Sequence, residues 1–445
     1  MPLPPRFLAA AALRASLLSA GLGAIPVALA AAPDSASKPE KPGAHADADA
    51  PKRPLPDLAK DPEFLNRCKA AAAYSARNEG EGVLIMLDGK VVFEEAQGDW
   101  PLSRPHPLAS GTKSFSGIAA AFAIQDGLLQ LDERASDTLT EWKSDPDKSR
   151  ITVRQLLSLS AGLDPRQDGL EAFRTGKRSP VLDHAQDALT APLVAKPGEK
   201  FIYGSASFYA FGELMKRKLH AADTGDEDVV EYLDRKLFSK IHIKPYFGKD
   251  PSGAPNLPGG CMLDARSWAV FGEFVRNQGK VGDEQLLRPD LLAQLFVPST
   301  TNANYGLTWW LLSEQDENPE DAIRRDEIAR RGRLGLTPAK SDKPADADGT
   351  TSTDAPRGRL RDRIRDRLRD AHRERAARGA SELSREFGVT SIGVMAAGLG
   401  KQRLYILPDL QLTVVRFGKL RGQAPYEDRD FLRTLILGDS ETPKE

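Results

Sequence analysis

Histidine and cysteine are scarce in this 445-residue chain, with six of the first and two of the second. None of the histidines lies in a His-Glu-x-x-His helix, and no Cys/His cluster has metal-ligand spacing. The sequence therefore offers no metal site, and no cofactor is expected. An excess of one charge is also missing. The formal net charge is −1, which gives the whole molecule no electrostatic bias toward nucleic acid or anionic surfaces. Beyond the first 30 residues, no segment approaches the ~20 apolar residues of a membrane span. The two cysteines, Cys68 and Cys261, form either a disulfide in an oxidising compartment or a pair of isolated buried thiols. Spacing does not choose between them.

The N-terminus carries an address. Met1 to Arg6 is short and basic, Ala15 to Ala30 is apolar or small, and Ala28-Leu29-Ala30 fits a small-x-small cleavage site. Residues 1–30 read as a signal peptide, with a retained N-terminal anchor as the alternative. A cleaved leader places the mature protein in the periplasm or outside the cell. Residues 31–60, rich in Ala, Pro, Asp and Lys without periodicity, read as a disordered linker. One domain, 61–445, is expected to follow.

Gly82–Leu87 and Lys90–Glu94 flank Asp88-Gly89, a strong hairpin signal. From Thr112 to Gln125, Phe115, Ile118, Ala119 and Phe122 recur at helical spacing. Thr152 is placed to cap a short helix that Gly162 would stop, and Asp264 to Val275 reads as another helix. Arg403–Leu407 and Leu410–Phe417 around Pro408-Asp409 predict a second hairpin, and Tyr426–Leu437 a closing amphipathic helix. Strands at both ends around grouped helices imply an α+β fold.

One segment stands apart. Residues 314–384 read as a charged insertion, and residues 357–385 hold eleven arginines against five acidic residues. This Arg-rich stretch is either a basic arm for an anionic partner, such as lipid headgroups or cell-wall polymer, or a solvated, partly helical segment with no partner. Charge runs more commonly take the second form.

The residues that carry chemistry are Ser110 and Lys113, three apart at the start of the 112–125 periodicity. On a helix they share a face, one turn apart. A serine needs a neighbouring base, and a lysine becomes one when burial and nearby positive potential keep its amine neutral. Ser35 and Lys38 share the same spacing in a stretch that cannot form a site, so context must decide. Rival schemes lack parts. Ser158-Leu159-Ser160-Ala161-Gly162 has no first glycine for a nucleophile elbow. His106, between Pro105 and Pro107, has no acidic partner that sequence can name, and reads as a surface or pocket-rim histidine.

The context comes from a series of blocks. Leu108-Ala109-Ser110-Gly111-Thr112-Lys113-Ser114-Phe115 is followed by Asp126–Asp132 and Val153–Leu163. Next come Lys196-Pro197-Gly198-Glu199-Lys200-Phe201-Ile202-Tyr203-Gly204-Ser205, Gly259-Gly260 through Gly272, Tyr305–Trp310 and Ala396–Gln402. In that order they resemble the serine β-lactamase and penicillin-binding-protein superfamily, on its class C, esterase and nylon-oligomer-hydrolase side.

The resemblance implies an antiparallel sheet built from both chain ends, flanked by helices, beside an inserted all-helical region, with the site in the cleft between. It implies Ser110 as the acylated nucleophile, Lys113 as its proton acceptor and Tyr203 as a proton shuttle coupled to Lys113. Ser205 stands where many members have Asn and would meet substrate. Gly398 would let a strand edge approach, and the backbone N–H of Leu399 with that of Ser110 would form the oxyanion hole. Ala396-Ala397-Gly398 replaces the Lys-Thr-Gly or His-Thr-Gly of lactamases, so the group that meets a β-lactam carboxylate is missing.

The expectation is an exported serine hydrolase that cleaves an ester, amide or lactam bond in a small-molecule or short-peptide substrate. The alternatives are a β-lactamase or D,D-peptidase in the strict sense, or a catalytically silent cell-wall-binding relative.

Overall fold

In the computed structural model, Asp88 and Gly89 take φ of 46° and 75°, the two positive values that a type I′ turn needs. They reverse β1 (Gly80–Leu87) into β2 (Lys90–Ala96). The structure describes residues 55–166, 181–313, 391–420 and 425–438. The expected signal peptide 1–30, most of the expected linker 31–60 and the charged insertion 314–384 lie outside the described residues. Leu58, at the end of that linker by composition, is 4% exposed and belongs to the core.

After β2 the chain enters a mainly helical region. Its helices are Lys113–Gln125, Val153–Leu157, His184–Thr190, Ala206–Ala221, Val229–Leu233, Ala265–Arg276 and Pro289–Gln294. Two small sheets that the sequence reading did not foresee also lie here. One joins β3 (His106–Pro107), β4 (Tyr246–Phe247) and β5 (Cys261–Leu263) in the order β3-β5-β4. The other pairs β6 (Lys280–Val281) with β7 (Glu284–Gln285).

The chain then returns to the main sheet through β8 (Trp310–Ser313), β9 (Ser391–Gly398), β10 (Gln402–Leu407) and β11 (Leu412–Gly418). The sheet is antiparallel, with the strand order β2-β1-β11-β10-β9-β8. Strands from the two ends of the chain therefore meet in its middle, as the resemblance implied.

The strand period of two explains how both faces are covered. On one face, Leu404 and Thr413 lie so close to the helix Ala265–Arg276 that a Cβ on Gly272 would stand 2.6 Å from Thr413 Cγ2 and 2.8 Å from Leu404 Cδ1. On the other face, Tyr405 stacks on Phe431 of the helix Asp428–Leu437, ring centroids 5.8 Å apart. With both faces covered, β10 and β11 are buried along their whole length, which is why they read as apolar runs more than as alternation.

The helix Lys113–Gln125 is buried on every side from Lys113 to Ala123. The apolar spacing of Phe115, Ile118, Ala119 and Phe122 is therefore only part of its buried surface. Small residues fill the rest, and a Cβ on Gly117 would stand 2.3 Å from Thr308 Oγ1. Thr152 caps the helix Val153–Leu157 with a full capping box to Gln155. That helix stops at Leu157, with Leu159 left-handed at φ 57°. Gly162 does not stop it. Its φ is 80° and a Cβ there would stand 2.2 Å from Ala195 O, so the glycine admits a neighbouring backbone.

Candidate active site

Ser110 lies in a 3₁₀ turn, Ala109–Thr112, that leads directly into the buried helix Lys113–Gln125. The turn is locked to β5 from both ends. Leu108 N–H donates to Cys261 O at 2.9 Å and Cys261 N–H donates to Thr112 Oγ1 at 3.1 Å. Thr112 Oγ1 donates in turn to Ala109 O at 2.6 Å. Ala109 is held at φ 48°, a left-handed conformation that costs a residue with a Cβ about 1–2 kcal/mol. Strain of this kind persists only where the surroundings enforce it, and here it immediately precedes Ser110.

Lys113 stands one turn on, as the spacing predicts. Its Nζ lies 3.0 Å from Ser110 Oγ and 2.7 Å from the carbonyl of Pro258. Only 4% of the residue is exposed. No carboxylate offsets this burial, which brings the amine down from 10.5 to about 7. The rings of Tyr203 and Phe208 lie 4.9 and 5.4 Å from the nitrogen, within cation–π reach. A buried amine that is neutral near pH 7 can accept a proton from the hydroxyl it touches.

Tyr203 is buried in an aromatic group, with its centroid 6.0 Å from Trp310 and 6.2 Å from Phe201. Ser205 is half-buried at the N-terminus of the helix Ala206–Ala221, which also carries Phe208. Its N–H donates to Pro165 O at 2.7 Å, and its hydroxyl makes no hydrogen bond among the described residues. Gly398 ends β9 directly against the serine turn. A Cβ on it would stand 2.1 Å from Leu108 O and 3.1 Å from Gly111 N. Leu399 is the next residue, the first of the β9–β10 turn. The structure thus brings Ser110, Lys113, Tyr203 and Gly398 together; Ser205 stands two residues after Tyr203, and Leu399 follows Gly398.

His106 differs from expectation. It is 1% exposed, lies at 2.8 Å from Glu81 Oε2 and stacks on Phe417 with centroids 4.5 Å apart. It therefore has the acidic partner that sequence could not name, and it is neither a surface nor a rim residue. Cys68 and Cys261 are unpaired and buried. The hydroxyls of Ser158 and Ser160 hydrogen-bond each other at 2.9 Å inside the fold.

Two features escaped the sequence reading. One is the Pro258 carbonyl, offered by a loop that Asn256 shapes by accepting from Gly260 N–H at 2.8 Å and from Tyr209 Oη at 3.2 Å. Only the neighbouring Gly259-Gly260 hinted at it. The other is Phe208, indistinguishable in sequence from any other core aromatic.

The Beta-lactamase family profile matches residues 68–318. Protein flp of Staphylococcus aureus is 26% identical over 174 residues, covering 37% of this chain and 34% of that protein. The chain thus spans about a third of the length of the curated relatives it matches first. Among solved structures, a candidate 6-aminohexanoate-dimer hydrolase from Bacillus anthracis superposes with a TM-score of 0.56 at 15% identity, over 82% of this chain and 80% of its own. EstCE1, a hydrolase with promiscuous acyltransferase activity, does so at 0.52 and 17%, over 85% and 97%. At these identities the structural likeness speaks for the fold alone. The profile covers more than half of the chain, including Ser110, Lys113, Tyr203 and Ser205, and the chain belongs to the β-lactamase-fold family of serine hydrolases.

Proposed function

We propose that the protein is an exported serine hydrolase that cleaves an ester, amide or lactam bond through a Ser110 acyl-enzyme. The observation that carries this reading is the contact of 3.0 Å between Ser110 Oγ and an amine lowered to about 7 by burial. Lys113 takes the Ser110 proton as Oγ attacks the carbonyl carbon. Tyr203, beside the amine, passes a proton to the leaving oxygen or nitrogen as the carbonyl re-forms. The N–H groups of Ser110 and Leu399 hold the oxyanion, and water reverses the sequence to release the acid.

The reading favours esters and amides over β-lactams. At 396 and 397 the strand beside the serine offers only the methyl groups of two buried alanines, so nothing there meets a lactam carboxylate. Two structural neighbours bear names on that side, a candidate 6-aminohexanoate-dimer hydrolase and a hydrolase with promiscuous acyltransferase activity, while others are named as a candidate β-lactamase and a penicillin-binding-protein homologue.

The test is labelling of the purified protein with a fluorophosphonate and a fluorescent penicillin, each with a Ser110→Ala control. Serine-dependent labelling by the fluorophosphonate alone supports the esterase or amidase reading. Labelling by both moves the assignment to a β-lactamase or D,D-peptidase. Labelling by neither, or labelling that persists in the Ser110→Ala protein, overturns the enzyme reading.

A further inference from the structure

Behind the β9–β10 turn lies a buried polar cluster that the proposed chemistry does not use. Four successive carbonyls of the turn are each held by a side chain. Gly398 O accepts from Arg403 Nη1 at 3.1 Å, and Leu399 O accepts from Gln402 Nε2 at 3.2 Å. Gly400 O accepts from Gln402 Nε2 and from Arg416 Nη1, both at 3.3 Å, and Lys401 O accepts from Arg416 Nη1 at 2.9 Å. Gln402 and Arg403 are 0% exposed and Arg416 is 1% exposed.

These three residues are themselves anchored. Arg403 pairs with Asp428 at the start of the last helix, Nε–Oδ1 2.7 Å and Nη2–Oδ2 3.2 Å. Tyr405 Oη donates to the same carboxylate at 2.5 Å and lies 2.8 Å from Tyr426 Oη. Arg416 reaches the helix Phe64–Arg77, which precedes β1, and its C-cap Asn78, donating to Ser75 Oγ at 3.1 Å and Asn78 O at 2.7 Å, and its guanidinium lies 4.1 Å over the Tyr426 ring. Gln402 grips β11 through Gly418 O at 2.5 Å and Gly418 N at 3.1 Å. The turn is thus tied to both terminal helices and to the middle of the sheet.

We propose that Arg403, backed by Asp428 and assisted by Gln402 and Arg416, is a positioning residue that aims the Leu399 N–H at the substrate carbonyl. The inference rests on the functional reading above. The Gly398 carbonyl and the Leu399 N–H belong to one planar trans peptide unit, so they point in opposite directions; the described chain has no cis peptide. A donor that fixes the carbonyl on the buried side therefore fixes the N–H on the opposite side. The front of the same peptide unit is set by contact of Gly398 with the Leu108 carbonyl, one residue from the turn that carries Ser110. The peptide is clamped between a guanidinium and the serine turn. A carbonyl could be left to water or to a neutral donor. A bidentate, ion-paired arginine is the stiffer choice, because its planar fork is held by two bonds before it reaches the carbonyl. Oxyanion donors are effective only when held in place ahead of the reaction.

The experiment uses the full chain and an activated ester paired with its thionoester, whose sulfur interacts poorly with N–H donors. Arg403→Lys keeps the buried charge beside Asp428 but cannot hold both the carboxylate and the Gly398 carbonyl. The expected result is a fall of about tenfold or more in kcat with KM within about twofold. The oxo-to-thiono ratio should drop by the same factor, and the midpoint of the pH–rate profile should not move, because Lys113 is untouched. Asp428→Asn, which loosens the fork from behind, should fall between wild type and Arg403→Lys, and it serves as the test if the lysine variant does not fold. Leu435→Ala, a core truncation on the same last helix away from the turn, controls for lost stability and should keep the wild-type ratio. Unchanged ratios in Arg403→Lys and Asp428→Asn overturn the inference while leaving Ser110 labelling intact. If Ser110 of the wild-type protein takes no fluorophosphonate, the functional reading falls, and this inference falls with it.

Discussion

Lys113 Nζ touches both Ser110 Oγ, at 3.0 Å, and the Pro258 carbonyl, at 2.7 Å, with no acidic side chain to share its charge. The carbonyl accepts one amine proton, but a single neutral acceptor cannot offset the burial of a full charge. The amine therefore titrates near 7. Below that pH it is charged and cannot accept a proton. The rate of Ser110 acylation by an uncharged ester is expected to rise about tenfold per pH unit below 7 and to level off above it. Stopped-flow acylation between pH 5 and 9 checks this, and a flat profile would remove Lys113 from the role of base.

The same shift has a stability sign. The folded-state value, about 7, lies below the unfolded one of 10.5, so the unfolded chain binds more protons between them and stability rises with pH across that window. The penalty is complete below 7 and fades by 10.5. At ~1.4 kcal/mol per unit it reaches an upper bound of about 5 kcal/mol. Lys113→Met is expected to abolish acylation and still melt higher than wild type at pH 6. That gain should shrink as the pH is raised to 10, which calorimetry at several pH values would measure.

Gly398→Ala tests the close approach of β9 to the serine turn. The added Cβ would stand 2.1 Å from the Leu108 carbonyl, a backbone atom that cannot swing aside. The strand end must move away, and the loss expected is 10²-fold or more in kcat, the scale of losing one oxyanion donor. The far-UV circular dichroism should be unchanged. An alanine variant with wild-type kinetics would show that the strand end takes no part.

Both thiols should be free and silent. Burial pushes Cys68 up to about 12 and Cys261 well above its ordinary value of 9.0, so the reactive thiolate is scarce. Intact-mass analysis after iodoacetamide should find no modification of the native protein and two alkylated cysteines after denaturation. Reducing agent should leave the melting temperature where it was. A product two mass units light and resistant to alkylation would mean that a disulfide is present.

Much of this site was legible because its signals are local. The Ser110–Lys113 spacing is a one-turn relation, Asp88-Gly89 is a turn in itself, and the Thr152 cap is a contact over three residues. Gly398 was legible only through resemblance, because a glycine in a strand does not say which backbone approaches it. What the sequence hid is long-range. Pro258 meets Lys113 across 145 positions, and Glu81 finds His106 across 25. Arg403, read only as the start of a strand, is fully buried and pairs with the half-buried Asp428 across 25 positions. The stop assigned to Gly162 failed for a related reason. The glycine answers to Ala195, a contact that no helix-ending rule contains.

The sheet order has a consequence in time. A ribosome delivers Ser110 and Lys113 early, but the strand that ends at Gly398 and the β10–β11 pair that carries it emerge nearly 300 residues later. Until then β1 lacks its β11 partner, and Ser110 lacks the Gly398 strand end that packs against its turn. Under the proposed chemistry, a nascent or truncated chain that holds the base and the hydroxyl is expected to stay inert until the last strands close the sheet. Contacts of such sequence separation are slow to form, and the proposed chemistry would therefore be complete only at the end of folding.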